Sequence, residues 1–305
     1  MRVEQKEPSG CTRMLCSLLG YSRQAYYQNI KSYQTVRLCE SLLLTEVVRV
    51  RKDQQRLGGR KLLYKLDGFM LDHGINIGRD AFFDLLRDQG LLVYKRRRRN
   101  PKTTFSFHRF HKYPNRIIGF IPSAPRQLWV SDITYIRLTH GFAYLSLITD
   151  AYSRKIVGYD LCERISAKGC VAALKMAVKN NPARGDELLH HSDRGIQYCS
   201  NDYVKLLQHH HIDISMTQSG DPLENALAER VNGILKDELL EQRYGLFKAA
   251  HPLVAKAISL YNNERPHSSI DMLTPAEAHT RTGELKRHWR NYYAIKKEKE
   301  AIMDG

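Results

Sequence analysis

The pattern of apolar residues along the 305-residue chain changes from helix-like to strand-like near residue 124. Before that point, apolar positions recur every three or four residues, which predicts helices over 8–18, 22–30, 36–57, 61–73 and 80–89. After it, stretches rich in β-branched and aromatic residues predict three strands over 127–138, 142–150 and 155–162. Consecutive strands with short turns between them predict an antiparallel meander.

The remaining elements alternate between helix and strand. We expect a helix at 166–180, a strand leading to Asp193, a helix at about 201–210, a strand at 212–216 and a helix that carries Glu229. This order is typical of an α/β fold with a ribonuclease-H-like core, in which helices flank a mixed sheet. A small all-α region precedes this core.

The N-terminal helices are joined by the segment Leu19-Gly20-Tyr21-Ser22. A glycine suits a tight turn, and a serine suits the N-cap of the following helix, so the segment predicts a helix-turn-helix. Gly90 is expected to close the helix at 80–89. We expect this region to bind DNA; the alternative is a helical domain with no role in DNA binding.

Four segments follow from these patterns: a helix-turn-helix-like region at 1–92, a basic linker at 93–123, the ribonuclease-H-like core at 124–282 and a basic tail at 283–305. A hydrophobic content of 42% is enough for a sizeable core. No apolar run approaches the roughly 18 to 20 residues that cross a bilayer, and no signal peptide is recognisable. We therefore expect a cytoplasmic, nucleoid-associated protein with no membrane contact.

The six cysteines show no zinc-knuckle spacing, so no structural zinc site is expected. The formal charge of +16 is concentrated near the N-terminus, because the first 120 residues contain 24 Lys or Arg against 10 Asp or Glu. The densest run is Lys95 followed by Arg96, Arg97, Arg98 and Arg99. Such a run predicts an arm that contacts phosphate backbones, the alternative being a solvated linker.

Three acidic residues lie where a metal site would need them. Asp193 ends a strand, and Glu229 follows after thirty-five intervening residues, on a helix and away from its apolar stripe. Asp132 lies in a β-rich segment, where a carboxylate is costly to bury without a metal or a hydrogen-bonding partner. Asp150, at the end of another strand, is expected to form a turn instead.

Several motifs carry a resemblance to a known family. They are Trp-x-x-Asp-Ile-Thr at 129–134, His-Ser-Asp-x-Gly-x-Gln-Tyr at 191–198, Asn-Ala-x-Ala-Glu at 225–229, and the segments at 261–269 and 274–277. Together they resemble an insertion-sequence transposase, and more narrowly the downstream-frame product of the insertion sequence three family, whose core is shared with retroviral integrases. The chain departs from that family's pattern at Glu224, often Asp, and at Arg230, often a small Ser.

The resemblance implies a DDE-type polynucleotidyl transferase that cuts the ends of an insertion sequence and joins them to target DNA. It implies that Asp132, Asp193 and Glu229 hold two Mg²⁺ or Mn²⁺ ions. Lys236, two helical turns after Glu229, is expected to contact DNA, with Arg230 beside the acid; a solvated lysine is the alternative. The implied partners are double-stranded DNA at the element ends and the target, further copies of the chain on that DNA, and an upstream-frame product as fusion or partner.

Two other functions stay open at this point. A ribonuclease-H-type nuclease would use the same three carboxylates with water alone as nucleophile. A non-catalytic regulator derived from a mobile element would bind DNA without turnover, and the intact acidic triad argues against it.

Overall fold

The computed structural model describes residues 11–94, 109–180, 188–218, 225–240 and 244–288. The chain divides into a helical unit, residues 1–52 and 58–92, and a sheet unit, residues 53–57 and 93–305. Across the described ranges, no helix has both the length and the apolar character needed to span a membrane.

Over its described residues, the helical unit contains four helices around a small apolar core. They are α1 (Cys11–Leu18), α2 (Arg23–Arg51), α3 (Gly59–Asp72) and α4 (Arg79–Asp88). The predicted turn is confirmed, since Gly20 has a φ of 71° and the Ser22 hydroxyl accepts a hydrogen bond from the Ala25 amide at 3.1 Å. Gly90, with a φ of 65°, follows the end of α4 as expected. Leu43, Leu66 and Phe82 are among the buried residues.

The prediction of separate helices at 22–30 and 36–57 was wrong. α2 is continuous from Arg23 to Arg51, because the intervening residues 31–35 contain neither glycine nor proline to break it. It also ends before Leu57. Residues 53–57 belong to the sheet unit, where the Arg56 Nε donates to the Asp237 carbonyl at 2.9 Å, a contact that local periodicity cannot reveal.

Where the structure describes it, the sheet unit is built on five strands in the order β3-β2-β1-β4-β5. They are β1 (Leu128–Arg137), β2 (Phe142–Asp150), β3 (Ile156–Cys162), β4 (Leu189–Ser192) and β5 (Asp213–Met216). β1, β2 and β3 pair antiparallel, which confirms the predicted meander, while β4 pairs parallel with both β1 and β5. This mixed sheet with flanking helices is a ribonuclease-H-like fold.

Helices cover both faces of the sheet. The sheet unit contains α5 (Ala167–Asn180), α6 (Asn201–His209), α7 (Ala226–Ile234), a π-helical turn (Leu235–Leu239), α8 (Phe247–Asn263) and α9 (Pro275–Ala278). Residues of α5 and α6 form one buried cluster with Trp129, and residues of α7 and α8 form another with Ile136. Gly158 allows α5 to lie close to β3. A Cβ at this position would stand 2.1 Å from the Ala173 carbonyl oxygen, so any larger residue would force the two elements apart.

The segment at 261–269 joins α8 to the rest of the core. Asn262 makes two hydrogen bonds of 2.9 Å with the backbone of Ile156 in β3. The Arg265 guanidinium, 1% exposed, makes a two-pronged ion pair with Glu238 of the π-helical turn, at 2.8 and 2.7 Å. This sequence signature therefore has a structural use in holding α8 against the sheet and the end of α7.

Candidate active site

The parallel pairing of β1 with β4 brings two of the predicted carboxylates together. Val130 is the register partner of His191, and Asp132 and Asp193 each lie two residues beyond these partners. Side chains two residues apart on a strand share a face of the sheet. The pairing therefore carries Asp132 toward Asp193 at the carboxyl end of β4, as predicted for a strand that delivers Asp193 at its end.

A short turn fixes the Asp193 carboxylate after β4 ends. Its Oδ1 accepts a hydrogen bond from the Gly195 amide at 2.9 Å. A Cβ at position 195 would stand 2.9 Å from the same oxygen, so a larger residue would push the carboxylate away. Glycine at this position keeps the turn tight and the carboxylate in place.

Two asparagines hold α7, and with it Glu229, over β1. The Asn225 side chain donates to the Ser131 carbonyl at 3.0 Å, and the Asn232 side chain donates to Asp132 Oδ2 at 2.7 Å. Glu229 lies between the two asparagines in sequence. It is one helical turn before Asn232, so Glu229 and Asn232 point toward the same side of α7. Glu229 is exposed, yet partial desolvation still raises the pKa of its carboxyl group.

The carboxylates interact electrostatically. Burial, followed by the charge of Asp193 and then that of Glu229, raises the pKa of Asp132 to about 7, against the opposing hydrogen bonds from Asn232 and the Ile133 amide. Asp132 and Asp193 are thus the more strongly coupled pair, and Glu229 contributes less.

These residues suit a hard divalent cation, because the donors are all carboxylate oxygens and a cation between them would relieve their repulsion. Within the described ranges, however, no three His, Cys, Asp or Glu side chains are drawn together closely enough to form a finished metal cage. The arrangement is therefore a cluster of interacting acids that a cation would have to draw together.

Asn232 is a site residue that the sequence analysis missed. Its position three residues after Glu229 places it on the same helix face, and this spacing was the available signal. Its bond to Asp132 spans 100 residues of sequence, so no local pattern could show which acid it would meet. Asn225 belongs to a motif named in the sequence analysis, but its hydrogen bond to the Ser131 carbonyl could not be predicted from the sequence either.

A buried polar network supports the sheet behind the acids. His190 Nε2 lies 2.7 Å from the Ser131 hydroxyl and 2.8 Å from the Tyr203 hydroxyl. Burial, with a contribution from His191, lowers the pKa of His190 to about 3. The neutral imidazole therefore ties β4 to α6 and to the residue that precedes Asp132.

The predicted DNA-contacting residues have different surroundings. The Lys236 ammonium lies 3.6 Å from the centroid of the Tyr135 ring, a cation–π contact with β1 at the point where the helix becomes a π-helical turn. Arg230 is exposed on α7 beside Glu229. Arg96, Arg97, Arg98 and Arg99 lie outside the described residues, as does Glu224.

Asp150 forms a turn, as expected. Its Oδ1 accepts from both the amide and the hydroxyl of Ser153 at 2.8 Å, and its Oδ2 accepts from the Arg126 amide at 2.7 Å. Both oxygens are thus engaged in fixing the turn between β2 and β3.

Comparisons with known proteins identify the family of this chain. Two family models, each described as an integrase core domain, match residues 122–222 and 210–275. The chain is 33% identical over 268 residues to the insertion element IS600 uncharacterized 31 kDa protein of Shigella sonnei, covering 86% of this chain and 96% of that protein. It is 28% identical over 285 residues to transposase InsF for insertion sequence IS3A of Escherichia coli (strain K12), covering 90% and 96% respectively.

Among solved structures, the catalytic core domain of HTLV-2 integrase in complex with magnesium, in its trimeric form, aligns with a TM-score of 0.42 and 18% identity. That alignment covers 52% of this chain and 99% of the other.

Proposed function

Since this chain belongs to the integrase-core transposases of insertion sequences, which are DDE-type polynucleotidyl transferases, we propose that Asp132, Asp193 and Glu229 are its catalytic carboxylates. The observation that carries this assignment is the β1–β4 register, which directs Asp132 and Asp193 to one place while Asn225 and Asn232 hold the Glu229 helix above them. The reaction is DNA strand cleavage followed by strand transfer.

We propose two Mg²⁺ ions, with Mn²⁺ as a substitute, as the metal complement of this site. When bound, such ions polarise the attacking and leaving oxygens of a phosphodiester exchange. Asp132, Asp193 and Glu229 would hold them. Asn232 keeps the Asp132 carboxylate oriented through its 2.7 Å bond, and the Gly195 amide does the same for Asp193. Water is the nucleophile for cutting and a DNA 3′-hydroxyl is the nucleophile for joining.

DNA contact in this proposal involves residues outside the acidic cluster. Arg230 lies in α7 and Lys236 lies in the π-helical turn, where they would meet the phosphate backbone of an element end. Arg96 to Arg99 would add a sequence-independent contact whose strength depends on salt. The partners are double-stranded DNA of the ends and the target, further copies of the chain on that DNA, and the upstream-frame product as a fusion or partner.

A strand-transfer assay separates this function from its alternatives. The probe is a precut duplex that carries the terminal sequence found beside the gene, mixed with plasmid target and Mg²⁺. A transposase joins the precut 3′-end to the plasmid. A nuclease that uses only water would degrade DNA without joining it, and a non-catalytic regulator would bind the duplex without any new product; either result would overturn the proposal.

A further inference from the structure

A cleft in the sheet unit lies next to the cluster of the three acids. It has a volume of about 880 Å³, within the range of about 300–1,000 Å³ that is typical of ligand sites. Leu128, Val130, Ala151 and Leu227 contribute apolar surface, and Phe120 lines it as an exposed aromatic side chain. Apart from the Asn225 side-chain amide, which holds α7, the proposed mechanism uses no residue of this cleft.

The cleft adjoins the catalytic carboxylates along two elements. Val130 and Asp132 lie on the same face of β1, and two strand residues span about 6.6 Å. Ala226 and Leu227 form the first turn of α7, directly before Glu229. The cleft therefore shares both β1 and the start of α7 with the proposed catalytic carboxylates.

Two guanidinium groups line this cleft. Burial lowers the pKa of Arg154, and the positive charge of Arg287 adds to this effect against opposing interactions with Tyr261 and Asp150. Among the described residues, the Arg154 side chain donates a single hydrogen bond, from Nη1 to the Ala151 carbonyl. The φ of Arg154 is 67°, a backbone conformation that suits glycine better than arginine. The local backbone therefore gives no reason for an arginine at this position. A partly dehydrated guanidinium beside a second one favours a phosphate ligand.

A buried acceptor also lines the cleft. Asn225 is 8% exposed, and its Oδ1 has no hydrogen-bond partner within the part of the chain that the structure describes. A buried acceptor without a partner is costly, and a ligand that donates a hydrogen bond would satisfy it. The exocyclic amino groups of DNA bases are such donors.

We propose that this cleft binds an unpaired nucleotide of the DNA strand next to the cleavage position. The base lies against Phe120 and the apolar surface, its edge reaches Asn225, and its phosphate lies between Arg154 and Arg287. An exposed aromatic side chain combined with basic groups is the usual way in which proteins hold single-stranded nucleic acid. This inference rests on the proposed function, since it names how the substrate strand is held beside that site.

The test measures binding without catalysis. Fluorescence anisotropy with the full chain in EDTA compares a labelled single-stranded oligonucleotide with a blunt duplex of the same length. We expect Phe120→Ala and Arg287→Gln each to weaken single-strand binding by at least about five-fold, the loss typical of one base stack, and duplex binding by less than about two-fold. Glu284→Gln, which removes the one acid among the described lining residues, should strengthen it.

Matched controls exclude diffuse effects. Ile118→Ala removes an exposed apolar side chain beside the cleft, and Lys286→Gln removes a positive charge next to Arg287; neither residue lines the cleft. Equal losses in Lys286→Gln and Arg287→Gln, or in Ile118→Ala and Phe120→Ala, would overturn the proposal.

Photo-cross-linking gives an independent readout. An oligonucleotide that contains 5-iododeoxyuridine should cross-link to Phe120 or Tyr152, both of which line the cleft. Cross-links that map only elsewhere would contradict the assignment. Because neither experiment needs Mg²⁺ or turnover, a failure of strand transfer and a failure of nucleotide binding are distinguishable.

Discussion

Among the single residues of the site, Asn232 orients the carboxylate of Asp132. It touches Asp132 directly, and a polar side chain that orients a metal-ligating carboxylate keeps the ligand ready for its metal. The residue therefore acts through Asp132 and is a positioning residue.

We predict that Asn232→Ala lowers Mg²⁺-dependent strand cleavage by about 10- to 100-fold and raises the Mg²⁺ concentration needed for half-maximal rate. The reason is the loss of the 2.7 Å bond that orients Asp132. A titration of cleavage rate against Mg²⁺ measures both effects. Asn263→Ala, which removes a solvent-facing asparagine of α8, serves as the control and should match the wild type. An unchanged Mg²⁺ titration in Asn232→Ala would show that the bond does not matter.

His190 gives the fold an acid-sensitive contribution. Its pKa is about 3 in the folded chain against a usual 6.5, so the folded state binds fewer protons than the unfolded state between these values. Its stabilising contribution is therefore present above pH 6.5 and is lost progressively as the pH falls toward 3, by up to about 1.4 kcal/mol per pH unit.

We predict that His190→Asn flattens the dependence of unfolding free energy on pH between 6.5 and 4.5, besides lowering stability overall. Urea unfolding at several pH values measures the slope. His251→Asn, at an exposed position of α8, is the matched control and should keep the wild-type slope. Parallel slopes for His190→Asn and wild type would mean that another group causes the acid sensitivity.

At the level of elements, the strands were predictable to within about one residue. β1, β2 and β3 coincide with stretches that are rich in β-branched and aromatic residues and bounded by turn signals, and most of their positions are buried. A break between two helices was predicted at 30–36, whereas α2 is continuous there. Polar residues without a glycine or proline continue a helix, so the polar stretch was not a reliable sign of a break. The change to a π-helical turn at Leu235 also left no trace in the pattern.

The π-helical turn is held by the ion pair of Glu238 with the buried Arg265. We predict that Glu238→Gln lowers the free energy of unfolding by about 3–5 kcal/mol, because it leaves a buried guanidinium without its counter-charge. The control is Asp53→Asn, which breaks the exposed ion pair with Lys256 and should cost less than about 1 kcal/mol. Chemical denaturation measures both, and equal small losses would contradict the importance of burial.

At the level of the whole molecule, charge and chemistry occupy different parts of the chain. The first 120 residues carry 24 basic against 10 acidic residues, whereas the three carboxylates that we propose as catalytic all lie after residue 130. Their places on strands and on a helix could be predicted because strand ends and helix faces are local features. Their supports, Asn225 and Asn232, could not, since those bonds depend on the packing of α7 onto β1.

We predict that replacing Arg96 to Arg99 by Gln weakens duplex binding and makes the binding constant less dependent on salt. The slope of its logarithm against the logarithm of salt concentration should fall by about 0.9 for each phosphate that the variant no longer neutralises. Binding titrations at several salt concentrations measure the slope. Replacing the same four arginines by Lys keeps the charge and should keep the slope. A slope that Gln leaves unaltered would exclude this run as a phosphate-binding segment.

The assignment of Asp132, Asp193 and Glu229 is tested most directly by strand transfer from a precut element end with Asp193→Asn and Glu229→Gln. Both variants remove a negative charge while nearly preserving shape, so duplex binding should stay within about two-fold of wild type. We predict no detectable joined product from either variant in Mg²⁺, at protein concentrations at which the wild type joins the end to target DNA. Wild-type joining by either variant would contradict the three-carboxylate site.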